Sequence, residues 1–370
     1  MIIAIRVDSS RVLGSGHLMR CLTLAHKLRE RNAEVIFVSR LHPGNMVPFT
    51  EKEGFQVRSL PGVECMAAPE PSWNDREYPF GVGWNADAAQ TAVELGEIAP
   101  VDWLVVDHYS LDARWEREIR QVAKRVMVID DLADRSHDCD VLLDQNYHDE
   151  TRDRYARLVP AGTRIFLGPR YSLLRSEFIR VQKSPRFRDG RVRRILVFFG
   201  GCDAGNETAK AIAAIKSLGR HDIDVDVIVG NENPNKETVE ESCSTDSRFH
   251  YHCQVDDMAS RMRDADLAIG AGGTSTWERC YLGVPSITVV VAQNQAETTA
   301  AVARGGATVN LGDCRSVTVS DIHRTLEGLL SDPSALRAMA VRARALMGHG
   351  IHDGPDEIVR VMLGDGNAAA

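Results

Sequence analysis

The chain has 370 residues, 44% apolar and 26% charged, the balance of a globular protein long enough for two cores of ordinary size. A formal charge of -8 and a pI near 5.9 exclude a protein whose main partner is nucleic acid or an anionic membrane. The 8 cysteines are scattered without a CxxC pair, which excludes a disulfide framework. With no basic-apolar-small leader and no apolar run near the ~18 residues of a membrane span, the expectation is a cytoplasmic protein.

In chain order, Ile2 to Val7 reads as a buried strand that runs into the tight turn Gly14-Ser15-Gly16-His17. Leu18, Cys21, Leu22, Ala25 and Leu28 recur behind the turn at helical spacing. His17 therefore opens a helix at the carboxyl edge of a sheet, where open α/β folds bind ligands and a helix N-terminus offers free N–H groups to an anion. An imidazole beside a bound phosphate can move protons near neutral pH, although a histidine at such a place can also simply cap the helix. Further strand-like runs follow at Glu34 to Ser39, Gln56 to Leu60, Trp103 to Asp107, Val126 to Asp130 and Val141 to Leu143. Their alternation with amphipathic segments predicts βαβ units and a parallel sheet.

Between the third and fourth strand-like runs, Gly62 to Asn85 shows no period and carries Pro69, Pro71, Pro79, Trp73 and Trp84. It reads either as a lid or as a surface excursion. Asp107-His108-Tyr109 ends the Trp103 strand and so belongs to the same carboxyl edge. Tyr109 there can bond a substrate or orient a water, or stand as an edge tyrosine with a wet hydroxyl.

The alternation lapses in the charged stretch SEFIRVQKSPRFRDGRVRR, which predicts a boundary between a domain at 1–185 and a second at 190–350. Strand-like runs resume at Ile195 to Phe199, Val225 to Gly230, Phe249 to Cys253, Leu267 to Gly270 and Ser286 to Val291, and helical patterns follow at Val319 to Leu330 and Ser334 to Met347. The expected fold class is α/β, two doubly wound Rossmann-like domains facing each other across a cleft, with a disordered tail at 364–370.

In the second half, Gly200, Gly201 and Asp203 lie between a strand and a helix beginning near Asn206, suited to close backbone approach to a phosphate or sugar. A stronger signal is GAGGTSTWERCYLGVP, where a strand delivers Gly272, Gly273 and Thr274 to a helix N-terminus that suits a diphosphate. Glu278 follows Thr274 by four residues, placed to accept the hydroxyls of a ribose or to stand as a solvated surface acid. Asn294 and Gln295 bring neutral amides to the same edge, which suit hydroxyl and acetamido groups better than metals. Two D-x-D triplets, Asp138-Cys139-Asp140 with His137 beside it and Asp224-Val225-Asp226, resemble metal-holding triplets, but two carboxylates make a poor site and no metal is expected.

The segments RVDSSRVLGSGHLMRCLTLA, VVDHYSLDARWE, DDLADRSHDCDVLLDQN, LGPRYSLLRSEF, VFFGGCD and GAGGTSTWERCYLGVPSI with VAQNQ resemble the UDP-2,4-diacetamido-2,4,6-trideoxy-β-L-altropyranose hydrolases of bacterial pseudaminic acid biosynthesis, over nearly the whole chain. The resemblance implies a GT-B fold, a UDP-sugar substrate, water as acceptor, no metal or other cofactor, and inverting hydrolysis of the glycosyl-phosphate bond. It implies His17 as the catalytic group, Tyr109 near the sugar, and Glu278 and Asn294 as nucleotide and substrate ligands. The rival expectations are a GT-B glycosyltransferase passing the sugar to another acceptor, a UDP-N-acetylglucosamine 2-epimerase-like hydrolase, and a non-catalytic nucleotide-sugar-binding protein.

Overall fold

A computed structural model describes residues 1–11, 13–62, 82–149, 153–348 and 353–364. The chain divides into two compact units, one of Met1–Asn146, Glu150–Leu173 and Asp353–Ala370, the other of Tyr147–Asp149 and Leu174–His352.

The first unit contains strands β1 (Ile2–Val7), β2 (Glu34–Arg40), β3 (Gln56–Leu60), β4 (Trp103–Asp107), β5 (Val126–Ile129), β6 (Val141–Asp144) and β7 (Arg164–Leu167). Its helices are α1 (Gly16–Glu30), α2 (Val47–Lys52), α3 (Trp84–Leu95) and α4 (Ala113–Ile119). The strands form one parallel sheet in the order β3-β2-β1-β4-β5-β6-β7, so the strand order reverses between β1 and β4. Both faces are covered. Ile3, Ile5 and Val7 pack with the apolar face of α1, while Ala4 packs with Leu95 of α3 and Trp115 of α4. Strands buried on both sides read as continuous apolar runs, which is why β1 and β4 stand out in the sequence.

The second unit opens with α5 (Ser176–Gln182) and continues with β8 (Arg194–Phe198), α6 (Glu207–Ser217), β9 (Asp224–Val229), α7 (Lys236–Ser244), β10 (Phe249–Cys253), α8 (Met258–Asp264), β11 (Leu267–Ala271), α9 (Ser275–Leu282), β12 (Ser286–Val290), α10 (Ala296–Arg304), β13 (Thr308–Asp313), α11 (Val319–Ser331) and α12 (Pro333–Leu346). Its parallel sheet runs β10-β9-β8-β11-β12-β13, again reversing between its first and fourth strands. The expectation of two doubly wound α/β domains is met.

The boundary expected at 185–190 moves to 173–174. Phe178 of α5 is fully buried against Leu196, Met258 and Met262, so the charged segment in which the alternation lapses begins the second core. A final helix, α13 (Gly354–Leu363), lies beyond the last helical pattern marked in the sequence and returns to the first unit. Ile358, Val359 and Met362 are buried there, and Trp103 Nε1 donates to the Met362 carbonyl at 2.8 Å. Three fully buried apolar side chains at about 1.5–3 kcal/mol each account for the docking. Strands β7 and β13 were not expected, since β7 buries only Phe166 and β13 only Thr308. Most of the Gly62 to Asn85 segment and the tail beyond Gly364 lie outside the described residues. Among the described residues no helix is long and apolar enough to cross a membrane.

Candidate functional site

In the first unit the chain leaves β1 and turns back at Gly14, whose N–H donates to the Ser10 carbonyl at 2.9 Å. Gly14 has φ +73 and open space around the missing Cβ, so glycine is required by conformation and not by crowding. Gly16 is the first residue of α1 and His17 the second. Burial of Leu18, Cys21, Leu22, Ala25 and Leu28 fixes the rotation of α1 and brings His17 against the end of β4, the strand beside β1.

There His17 Nδ1 lies 2.6 Å from Asp107 Oδ1. An ionised carboxylate can only accept, so Nδ1 carries the proton and the neutral imidazole keeps its lone pair on Nε2. One turn further along α1, Arg20 grips the same carboxylate with both arms, Nε to Oδ2 at 2.6 Å and Nη2 to Oδ1 at 2.7 Å, and reaches Asp131 with Nη1 at 3.0 Å. Arg20 Nη2 also approaches His17 Nδ1 at 3.0 Å, but two N–H groups cannot bond each other, so the proton on Nδ1 belongs to Asp107. Burial by itself would raise the Asp107 carboxyl. The Arg20 charge, and then His17, overcome that and hold it well below the usual carboxylate range. Tyr109 stands edge-on to the imidazole, with ring centroids 4.6 Å apart and planes at 88°.

A second charge cluster anchors α3 on the neighbouring strands. Asp87 accepts from Arg6 at 2.6 Å, Arg40 at 2.7 Å and Trp115 Nε1 at 3.0 Å, and Arg6 also pairs with Asp8. His108, within 3.5 Å of Asp8, is pushed toward its neutral form by burial. The D-x-D triplets are held in ion pairs. Asp138 and Asp140 meet Arg120 at 2.8 and 3.1 Å, Asp226 meets Arg194 and Arg261 at 3.2 and 3.3 Å, and His137 bonds Glu116 at 2.6 Å. Among the described residues no group of three or more His, Cys, Asp or Glu is arranged to hold a metal ion.

In the second unit the loops after β8 and β11 occupy the corresponding reversal point. After β8, Gly200 has φ +96, and Gly201 packs so closely on the end of β9 that a Cβ on Gly230 would stand 2.2 Å from the Gly201 carbonyl oxygen. Asp203, expected on the nucleotide, turns its carboxylate onto α6. Oδ1 accepts from Glu207 N at 2.9 Å, and Oδ2 from Thr208 N at 3.0 Å and Thr208 Oγ1 at 2.6 Å. Asn206 accepts from Ala209 N as well, so the N-terminus of α6 is closed by its own side chains.

The turn after β11 is different. Thr274 stands at the N-cap of α9, and its side chain makes no cap hydrogen bond to that helix. Gly272 is glycine because of packing, since a Cβ there would fall 2.0 Å from Thr299 Oγ1 of α10. Around Gly273 the nearest group is Gln295 Nε2, 3.5 Å from a Cβ position, and Gln295 is steadied by Val291 N at 3.2 Å. Asn294 precedes it on the short 3-10 turn Gln293–Gln295. Gly272, Gly273, Thr274 and Gln295 thus gather at one open helix end.

Glu278, one turn into α9, is held by Arg175 Nε at 2.9 Å, and Arg175 also pairs with Glu177 at 2.7 Å. Arg279 is buried, donating to the Ala271 carbonyl at 2.8 Å, Thr276 Oγ1 at 3.0 Å and Ser275 Oγ at 3.1 Å. No role for Arg20, for Asp107 at the carboxyl edge, for Arg175 or for Arg279 follows from the sequence alone. The first two carried a signal in the three-residue spacing of His17 and Arg20 and in the acid ending β4. Arg175 and Arg279 gave none, because charged residues next to Glu177 and Glu278 read as solvated helix faces.

Residues 194–352 match the glycosyltransferase family 28 C-terminal domain, a segment that includes all the second-unit candidates. The uncharacterized protein MJ1062 of Methanocaldococcus jannaschii is 27% identical over 302 residues, and the chain spans only 56% of that relative's length while the match covers 80% of its own. The spore coat polysaccharide biosynthesis protein SpsG of Bacillus subtilis is 24% identical, over 84% of each chain. The UDP-2,4-diacetamido-2,4,6-trideoxy-beta-L-altropyranose hydrolase of Campylobacter jejuni is 21% identical over 83% of this chain and 97% of its own. Among solved structures, MurG of Acinetobacter baumannii superposes with a TM-score of 0.64 at 14% identity, covering 98% of this chain and 99% of that one. Arabidopsis thaliana UGT89C1, solved with UDP, gives the same TM-score, identity and coverage. The chain has the GT-B fold.

Proposed function

We propose that this protein is a GT-B nucleotide-sugar enzyme that hydrolyses a UDP-linked 2,4-diacetamido-2,4,6-trideoxyhexose, the β-L-altropyranose form, to free sugar and UDP. The observation that carries the reading is the His17–Asp107 pair at 2.6 Å, which leaves Nε2 as a base. The distant likeness to the Campylobacter jejuni hydrolase supports the substrate, and the family 28 domain supports a nucleotide ligand in the second unit.

In this reading the diphosphate docks at the N-terminus of α9, which the Thr274 side chain does not cap, and Glu278, steadied by Arg175, receives the ribose. Nε2 of His17 accepts a proton from water as the water oxygen bonds to the anomeric carbon and the bond to the leaving phosphate oxygen breaks, inverting that carbon. Asp107 keeps its charge throughout and stabilises the imidazolium as it forms, as the acid does in a Ser-His-Asp triad. Tyr109, edge-on to the imidazole, limits its rotation and faces the sugar.

The test is incubation of EDTA-treated protein with the UDP-linked altropyranose, following UDP and the anomeric proton by NMR. Release of UDP with initial inversion is expected. A general base contributes roughly 10²- to 10⁴-fold, so His17→Asn and His17→Phe should lose that much turnover while UDP affinity holds. Near-normal turnover in both variants would remove His17 from the mechanism. The family 28 domain also favours a transferase, which would release UDP only when a sugar acceptor is supplied.

A further inference from the structure

We propose that Arg279 is an electrostatic positioning residue, a fixed buried cation behind the α9 turn that strengthens binding of a diphosphate there without touching it. The proposal deepens the reading above and rests on its assignment of the nucleoside diphosphate to that turn.

Arg279 is only 2% exposed, and its guanidinium lies between the end of β11 and the first turn of α9. Its hydrogen-bond partners are a carbonyl and two hydroxyls, all neutral, and Nε has none. No carboxylate among the described residues pairs with it. Glu278 acts on it only through space and is itself held by Arg175 at 2.9 Å. Burial draws the Arg279 guanidinium down to about 10, so the group remains charged at neutral pH.

The other buried arginines are compensated. Arg6, Arg20, Arg40 and Arg248 each grip an aspartate, at 2.6, 2.6, 2.7 and 2.5 Å. Arg188 has no acid but donates to four backbone carbonyls, three of them at Met262, Arg263 and Ala265 around the C-terminus of α8, where the helix end is negative. Arg279 instead turns its guanidinium back from the last turn of α9 to Ser275 and Thr276 in the first, the positive pole of that helix, which the Thr274 side chain does not cap. Two positive fields therefore fall on one turn, an arrangement unfavourable by itself and relieved by a bound anion. Thr299 Oγ1, 1% exposed and without a hydrogen-bond partner, faces the same turn at Gly272.

A unit charge several ångströms from a phosphate in a medium of effective dielectric near 20 shifts binding by roughly 10- to 100-fold. Titration calorimetry on the full chain should compare wild type, Arg279→Gln and Arg279→Lys, using UDP, uridine and inorganic pyrophosphate. Arg279→Gln, which can still hydrogen-bond the Ala271 carbonyl, should weaken UDP and pyrophosphate by about 10-fold or more and leave uridine within twofold, whereas Arg279→Lys stays within about threefold of wild type for all three. Equal loss of UDP and uridine, loss in Arg279→Lys equal to that in Arg279→Gln, or no loss at all would overturn the proposal. If wild type binds pyrophosphate but not UDP and Arg279→Gln abolishes that binding, the nucleotide reading fails and the cation's role stands. Failure of wild type to bind either anion overturns both.

Discussion

The two units reverse strand order at the same topological position and place opposite chemistry there. At the β1–β4 reversal the edge is filled with polar and charged side chains, His17, Asp107, Arg20 and Asp131, locked by hydrogen bonds of 2.6 to 3.0 Å. At the β8–β11 reversal the α9 turn is built of Gly272, Gly273 and a Thr274 that does not cap the helix, and it keeps its charge behind the turn, on Arg279. Proton transfer needs a side chain held in one orientation and one tautomer. Anion capture needs converging N–H groups with nothing of the protein's own in their way. The same topology serves both because the reversal point frees the loops at its strand ends, and the loop residues decide what occupies the space.

The strongest way to break the first half of this comparison is Asp107→Asn. The amide can present N–H to Nδ1, moving the imidazole proton to Nε2, and turnover should fall by about 10²- to 10⁴-fold with UDP affinity retained. Arg20 keeps Asp131 at 3.0 Å, so the stability loss should stay below the ~3–5 kcal/mol of a buried charge left without any partner. Because the Asp107 carboxyl is held below its unfolded value, its stabilisation is complete above about pH 3.9 and is lost as pH falls further. The difference in thermal midpoint between wild type and Asp107→Asn should therefore shrink as pH falls below about 4. A difference that grows below about pH 4 would contradict the ion-pair account.

In the second half, Gly272→Ala should destabilise by about 1–3 kcal/mol, since the new methyl meets Thr299 Oγ1. Adding Thr299→Ala should recover most of that in a denaturation cycle. Absence of coupling between the two would mean that the turn moves away freely. The smallest effect sharpens the contrast between the two helix ends. Asp203→Ala should lower stability by about 1–2 kcal/mol through loss of the α6 cap, while UDP affinity stays unchanged. A fall in UDP affinity without loss of stability would return Asp203 to the nucleotide.

Much of this was legible before any coordinates. Runs such as Ile2–Val7 and Leu267–Ala271 announce buried parallel strands because both sheet faces are covered, and glycine followed by a helical period marks the turns after them. Half-wet β7 and β13 carry no such mark, and neither does α5, whose one buried anchor, Phe178, is set among charges.

The sequence by itself determined the α/β class, the doubly wound order of each unit and the placing of His17 and the Gly272–Thr274 turn at carboxyl edges, because periodicity and glycine act locally. Only the tertiary structure decided that Asp107 and Arg20 fix the imidazole, that Asp203 caps a helix, that Arg175 holds Glu278 and that Arg279 has no acid partner among the described residues. Pairing of charges across 87 or 103 residues depends on which strands lie side by side and on what burial leaves unsolvated, and neither is written in the spacing of neighbouring residues.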